Sequence, residues 1–223
     1  MASHISAKTF DFLKKLEANN NRDWFNENKS LYTDSQHDLI EFLEELVQLM
    51  SSYDDEITKT DVKKSLFRIY RDVRFSKDKS PYKTNFGASL GMGKGSQKAG
   101  YYLHIEPGKS FLAAGIYMPE PAILKTIRKE ISLFKDDFLK VVESESFIKN
   151  FNELDQESKL KNIPQGFEKE DPMGEFLKLK NYIVVYSLTD SELTQKDSVD
   201  KISKVFEAAK PLNDFLNNII SNL

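Results

Sequence analysis

The sequence predicts an α+β fold with a mainly antiparallel sheet flanked by helices from both termini, and three observations carry that prediction. Strand-like stretches near 85–92, 101–118 and 181–187 are present, and the middle one reads as a hairpin, so its two arms run antiparallel. Amphipathic helical patterns occupy both ends of the chain. No alternation of strand and helix of the kind that builds a parallel sheet is visible. No composition shift cuts the 223 residues, so a single domain over 1–223 is expected.

In order, residues 6–18 place Phe10, Leu13 and Leu16 at three-residue spacing and read as a short helix, with Asn21 set to cap the turn that follows. From Leu31 to Met50 the stripe Leu39, Phe42, Leu43, Leu46, Val47 and Met50 faces Glu41, Glu44, Glu45 and Gln48, the pattern of a long amphipathic helix. Residues 51–64 are polar and read as loop with one turn near 59–64. Asn85 to Met92 alternates as a strand, and 93–100 is a glycine-rich loop. The arms 101–106 and 110–118 meet at Pro107-Gly108-Lys109, the chemistry of a type II turn. Pro119 and Pro121 open a helix expected to run to Lys140, and Phe147–Phe151 add a helical turn. A polar loop at 152–174, a short helix at 174–179 and a buried strand at 182–186 follow. The C-terminal helix starts near Ser198, and Pro211 is expected to kink or split it.

The chain has no cysteine, which excludes disulfides, thiol nucleophiles and cysteine-based metal sites. Residues 1–10 contain no apolar run suited to a signal peptide, and no stretch reaches the length of a membrane span. A cytoplasmic protein with no membrane partner is therefore expected. The net charge of −3 disfavours general binding to nucleic acid.

The most distinctive stretch is Phe67 to Thr84, F-R-I-Y-R-D-V-R-F-S-K-D-K-S-P-Y-K-T. Arginine occurs at five positions only, and Arg68, Arg71 and Arg74 fall together here. Residues 66–85 hold six cations (Arg68, Arg71, Arg74, Lys77, Lys79, Lys83) against Asp72 and Asp78, a local excess of four on an otherwise acidic chain. Arginine presents a planar fork that binds carboxylate or phosphate through two parallel hydrogen bonds, which lysine cannot do. Ser80-Pro81 bars helix through that point, so an extended start followed by a turn is expected.

The same stretch resembles the motif of a group of bacterial proteins known as domain of unknown function 2461: Arg68, then Arg71-Asp72, Arg74-Phe75, Lys79 and Tyr82. The resemblance extends to N-N-R-D-W-F at 20–25, G-Y-Y-L-H-I-E-P-G at 100–108, G-I-Y-M-P-E-P at 115–121 and I-P-Q-G-F at 163–167, nearly the whole chain. It implies a stand-alone domain of about this size and brings no activity with it.

Three readings of the basic stretch follow from its residues. In the first, Arg68, Arg71, Arg74, Lys79, Tyr82 and Lys83 cradle a small anionic, phosphorylated ligand, with Asp72, His104 and Glu106 as candidates for acid–base roles. In the second, the stretch is a non-catalytic module that docks an acidic protein segment or nucleic acid. In the third, each Arg pairs with an internal carboxylate such as Asp72, Asp78 or Glu106 in a structural network. His104 and Glu106 lie two apart on one strand face beside Tyr102, a pattern that suits a base with its orienting carboxylate, or simply the polar face of a hairpin. No metal site is expected, because two ligands do not make one. No nucleotide loop or hydrolase elbow is present. The sequence identifies no cofactor, and it leaves open the oligomeric state and whether any reaction is catalysed.

Overall fold

The computed structural model describes residues 4–91 and 95–222. Met92, Gly93 and Lys94, at the end of the expected strand and the start of the glycine-rich loop, lie outside the described residues. So do Met1, Ala2, Ser3 and Leu223.

Helix α1 (Ala7–Ala18) starts where the Ser6 hydroxyl accepts from the Lys8 amide, and it buries Phe10, Phe12, Leu13 and Leu16. Helix α2 (Arg22–Glu27) is capped by Asn21, whose side-chain oxygen accepts from the Trp24 amide at 3.0 Å. Helix α3 (Lys29–Met50) buries Leu39, Phe42, Leu43, Leu46 and Met50, the stripe its spacing predicts. Each such side chain contributes roughly 1.5–3 kcal/mol on leaving water. A 3-10 turn (Asp55–Lys59) and α4 (Val62–Ser65) then lead into the basic segment.

The sheet has four antiparallel strands in the order β1-β2-β3-β4: β1 (Phe86–Leu90), β2 (Gly100–Ile105), β3 (Ser110–Ile116) and β4 (Tyr182–Leu188). The α+β class is thus what the chain adopts. The hairpin turn closes with the Lys109 amide donating to the Glu106 carbonyl at 2.9 Å. Gly108 sits at φ +73°, the left-handed value a type II turn requires after its proline. Along β2, Tyr101, Leu103 and Ile105 are buried, while Tyr102, His104 and Glu106 occupy the opposite, partly exposed face.

One expectation changes and another narrows. The helix foreseen from Pro119 to Lys140 is two helices, α5 (Pro121–Leu133) and α6 (Lys135–Val142), broken at Phe134 (φ −112°, ψ 44°). Asp136 and Asp137 explain the restart, because acidic residues favour a helix N-terminus. After α7 (Glu145–Phe151), α8 (Gly174–Leu177) and α9 (Asp190–Thr194), helix α10 (Ser198–Ser221) runs through Pro211 without splitting. Phe206, Ala209, Leu212 and Leu216 are buried on both sides of the proline, and packing of an apolar face outweighs the lost hydrogen bond. Helix α9 was not foreseen, although Thr189-Asp190-Ser191-Glu192 forms a capping box that marks its start.

The chain divides into two compact units. The first comprises Met1–Gly93, Tyr102–Leu112 and Ser187–Lys204; the second comprises Lys94–Tyr101, Ala113–Tyr186 and Val205–Leu223. In the first, Phe12 stacks on Phe86 at 6.2 Å and Phe25 on Tyr82 at 4.0 Å. In the second, Phe138 packs edge-on against Phe176 at 5.0 Å, and the buried Arg128 donates to the Leu179 carbonyl at 2.8 Å. Every candidate site residue lies in the first unit.

Phe25 is buried and joins α2 to the basic segment. Phe25→Ala should cost about 3–5 kcal/mol in urea unfolding, the usual range for emptying a buried phenylalanine site. A loss below about 1 kcal/mol would show that this stack does not anchor the segment.

Candidate functional site

The basic segment begins and ends as paired, extended chain. The Phe67 amide donates to the Gly87 carbonyl at 2.9 Å, the Lys83 amide to Ile69 at 2.7 Å and the Arg71 amide to Pro81 at 2.9 Å. Antiparallel bridges join Leu66 to Ala88 and Tyr70 to Tyr82. Residues 66–71 and 81–88 therefore form a ribbon that continues β1 and covers its edge. The extended start read from Ser80-Pro81 is what the chain adopts.

Alternation along this ribbon sends neighbouring residues to opposite sides. Tyr82 turns inward, with 3% of its surface exposed, and lies flat on Phe25 with the ring planes 14° apart. Asn20 grips its backbone twice, accepting from the Tyr82 amide at 3.1 Å and donating to the Tyr82 carbonyl at 3.0 Å. Burial, then the neighbouring Tyr70, push the Tyr82 phenol up, while Arg22 works the other way. Tyr82 is thus an anchor of the ribbon. Lys83, the next residue, places its ammonium 5.5 Å from the centre of the Phe67 ring, a cation–π contact.

Between the two arms, 72–80 is a loop held by its own polar groups. Arg74 takes both oxygens of Asp72, Nε to Oδ1 at 2.9 Å and Nη2 to Oδ2 at 2.6 Å. Arg71 pairs with Asp78. Ser80 donates to Asp78 Oδ1 from its amide at 2.9 Å and its hydroxyl at 2.7 Å. Lys79 donates to the Val73 carbonyl at 2.9 Å. The pairs are open to water: the Arg74 side chain is 77% exposed. Ion pairs so exposed to water contribute little to stability, so they shape the loop more than they hold the fold together. Among the described residues, no carboxylate lies within ion-pair distance of Arg68 or Lys77, and both are exposed. Phe75, in the middle of the loop, is 96% exposed, with the Arg74 guanidinium carbon 5.9 Å from its ring centre.

The strand-face pair is also assembled. His104 Nε2 lies 3.1 Å from Glu106 Oε2. A carboxylate only accepts, so Nε2 carries the hydrogen, and in the neutral imidazole Nδ1 is then the acceptor. The Tyr102 hydroxyl reaches Nδ1 at 3.0 Å, and the Asn85 amide nitrogen stands 3.5 Å away. The imidazole stacks on Phe111 at 4.6 Å, 16° from parallel. Glu106 Oε1 also accepts from Lys109 at 3.2 Å, and the Ser110 hydroxyl accepts from the Glu106 amide at 3.0 Å. Burial pushes the Glu106 carboxyl up, but the hydrogen bonds from His104 and Lys109 outweigh it and leave the group below its ordinary value. Burial and the Glu106 charge both push the Tyr102 phenol up. Among the described residues no group of three or more His, Asp or Glu is placed to hold a metal ion.

Residues 8–215 match the family described as conserved hypothetical protein (DUF2461). The chain belongs to this family. No curated protein and no solved structure matches it. The family match spans both the basic segment and the Tyr102–His104–Glu106 ladder, so both features fall within the region that defines membership.

The structure thus distributes the residues singled out in the sequence. Arg71, Asp72, Arg74 and Lys79 shape the loop, Arg68 stands exposed beside it, Tyr82 is turned inward, and Lys83 lies over Phe67. His104 and Glu106 form a hydrogen-bonded pair. Sequence reasoning did not find the roles of Asn20, Asn85 and Gly87. Asn20 was visible within N-N-R-D-W-F, but its partner is remote in the chain.

Hydrogen bonds from Arg74 hold the Asp72 carboxyl below its usual value, and those from Ser80, then Arg71, hold Asp78 far below it. Both folded-state values are depressed, so the clasps stabilise the loop above the ordinary carboxylate range. That contribution fades as pH falls through the depressed values. Carboxyl-carbon NMR titration should place both midpoints below the ordinary value of about 3.9. Midpoints at or above that value would mean that the clasps do not form in solution.

Proposed function

We propose that the chain is a binding protein whose exposed basic segment docks an extended acidic segment of another protein. The observation that carries this reading is Phe75, 96% exposed at the centre of a loop fastened by its own ion pairs, with the Arg74 guanidinium carbon 5.9 Å from its ring centre and exposed Arg68, Lys77 and Lys79 in the same segment. A large apolar side chain held in water next to cations is of little use to folding. It suits a contact surface in which an aromatic anchor and arginines supply most of the affinity. Because the loop is already clasped, little ordering entropy opposes docking.

Charge supports the same partner. Six cations meet two acids in 66–85, and the rest of the chain is acidic. Anionic groups are drawn to this segment and repelled elsewhere, which favours a short acidic stretch over a long polyanion such as nucleic acid. A small phosphorylated ligand gripped by the arginine forks is less well supported. It would have to displace Asp72 from Arg74 and Asp78 from Arg71, and both carboxylates are held in their charged form.

The test is fluorescence anisotropy at low salt with a labelled glutamate-rich peptide containing one leucine, a single-stranded oligonucleotide, and inorganic phosphate as competitor. The peptide should bind, more weakly as salt rises. Arg68→Ala and Lys77→Ala should each weaken it about two- to fivefold, the scale of one exposed charge. Phe75→Ser should weaken it further without lowering the melting temperature. No peptide binding at low salt, or binding indifferent to all three substitutions, would overturn the reading. Phosphate competing at low millimolar concentration would return the small-ligand alternative.

A further inference from the structure

We infer that the outer edge of β4 pairs antiparallel with the same edge of a second copy of this chain, joining two four-stranded sheets into one.

Two contacts fix the direction of each backbone group along β4. Among the described residues, the one strand beside β4 in the sheet is β3. The Tyr182 carbonyl faces β3, since a Cβ at Gly115 would stand 2.0 Å from its oxygen. The next carbonyl, that of Ile183, faces the other way and accepts from the Asp155 amide at 2.9 Å. In an antiparallel strand each residue turns its amide and carbonyl to one side, and the next residue turns them to the other. Val185 and Ser187 therefore direct both groups outward, as Ile183 does. Among the described residues the bond from Asp155 is the one backbone hydrogen bond at this edge, so the outward groups of Val185 and Ser187 are left to water. Both residues are exposed, Val185 to 40%.

The sequence of β4 does nothing to guard that edge. Proteins protect an open edge with a lysine, a proline or a bulge, or they cover it. The edge of β1, at the other end of the sheet, is covered by the ribbon that bridges Leu66 to Ala88. Strand β4 reads Y-I-V-V-Y-S-L, with no charge, no proline and no glycine. An uncharged strand rich in β-branched and aromatic residues, with unpaired groups in water, is a template for another strand.

The chain itself matches this template. Asp155 occupies the edge at Ile183, so the pairing that remains is centred on Tyr186. A two-fold axis there sets Val185 against Ser187 of the second copy, and Ser187 against its Val185. Each pair exchanges two backbone hydrogen bonds, and the same patch serves both partners. Tyr186 meets its own counterpart as an aromatic cross-strand pair. Charge selects the antiparallel sense. Lys178 and Lys180 precede the strand, whereas Asp190 and Glu192 follow it. Antiparallel pairing brings the basic end of each copy to the acidic end of the other, and parallel pairing would bring like charges together.

The test is sedimentation equilibrium of the full chain from low micromolar to submillimolar concentration, with amide exchange measured at both extremes. The mass should rise from one chain, 25.7 kDa, towards two. The amides of Val185 and Ser187 should exchange freely in dilute solution and become protected as the mass doubles, while that of Tyr186, bonded to β3, stays protected throughout. The double variant Val185→Lys, Ser187→Lys sets like charges opposite each other twice, and it should weaken the dimer about tenfold without lowering the melting temperature of the dilute chain. The variant Val185→Glu, Ser187→Lys sets opposite charges there and should restore it, a result that general damage to β4 would not give. A mass of one chain at every concentration would overturn the inference and leave the edge to a strand of another protein. So would a dimer in which the Val185 and Ser187 amides stay unprotected, or one that both variants leave unchanged. A dimer lost in Phe75→Ser and kept in the double-lysine variant would place the contact at the basic loop instead. Peptide binding by that loop is measured separately, so the two readings stand or fall on different results.

Discussion

The antiparallel pairing of residues 66–71 with 81–88 is the constraint on which the rest depends. The Phe67 amide bond to Gly87 and the Leu66–Ala88 bridge tie the start of the basic segment to β1, and the bonds Lys83–Ile69 and Arg71–Pro81 with the Tyr70–Tyr82 bridge tie its two arms to each other. Once that register is set, alternation decides each side chain's fate. Tyr82 is driven inward onto Phe25, and Phe67 is laid against Tyr102. The loop between the arms has no choice but to project. An edge strand would otherwise present unpaired amides and carbonyls to any passing strand, and the chain's own ribbon occupies them. The same device that protects the sheet edge also displays the cations.

Electrostatics then works at two scales. Within the loop, Asp72 and Asp78 are held charged by hydrogen bonds from Arg74, Ser80 and Arg71. Exposed pairs of this kind add little to global stability, yet they fix the direction in which Phe75 and the remaining cations point. On the face of β2 the groups are less exposed and their coupling is tighter. A carboxylate, an imidazole and a phenol lie in line at alternate positions of one strand. The sheet's two-residue period alone brings three chemically complementary groups into a row.

Much of this was legible in the sequence, and the failures have identifiable causes. The α+β class, the hairpin with its Pro-Gly turn and the stripe of α3 all follow from periods of two or 3.6 residues, which are local signals. The same-face relation of His104 and Glu106 is equally local. The clasps of the loop were visible as one alternative, because Asp72 and Asp78 lie close to their partners in the chain. What could not be seen is whatever depends on strand register or remote packing. That Tyr82 points inward follows from Phe25 and Asn20, and that Tyr102 has room for its hydroxyl follows from Gly87 on the neighbouring strand. The break at Phe134 was misjudged because acidic residues restart the helix there, and of the two outcomes expected at Pro211, a kink or a split, the split does not occur because buried apolar residues hold α10 together.

The pairing at the edge of β1 is most directly tested by amide hydrogen exchange resolved by residue. The amides of Phe67, Arg71 and Lys83 are bonded across the ribbon, whereas among the described residues those of Phe75 and Lys77 have no such bond. The account predicts slow exchange for the first three, comparable to that of β1, and near-unprotected exchange for the latter two. Fast exchange at all five positions would show that the ribbon does not form in solution, and the display of the basic loop would lose its structural basis.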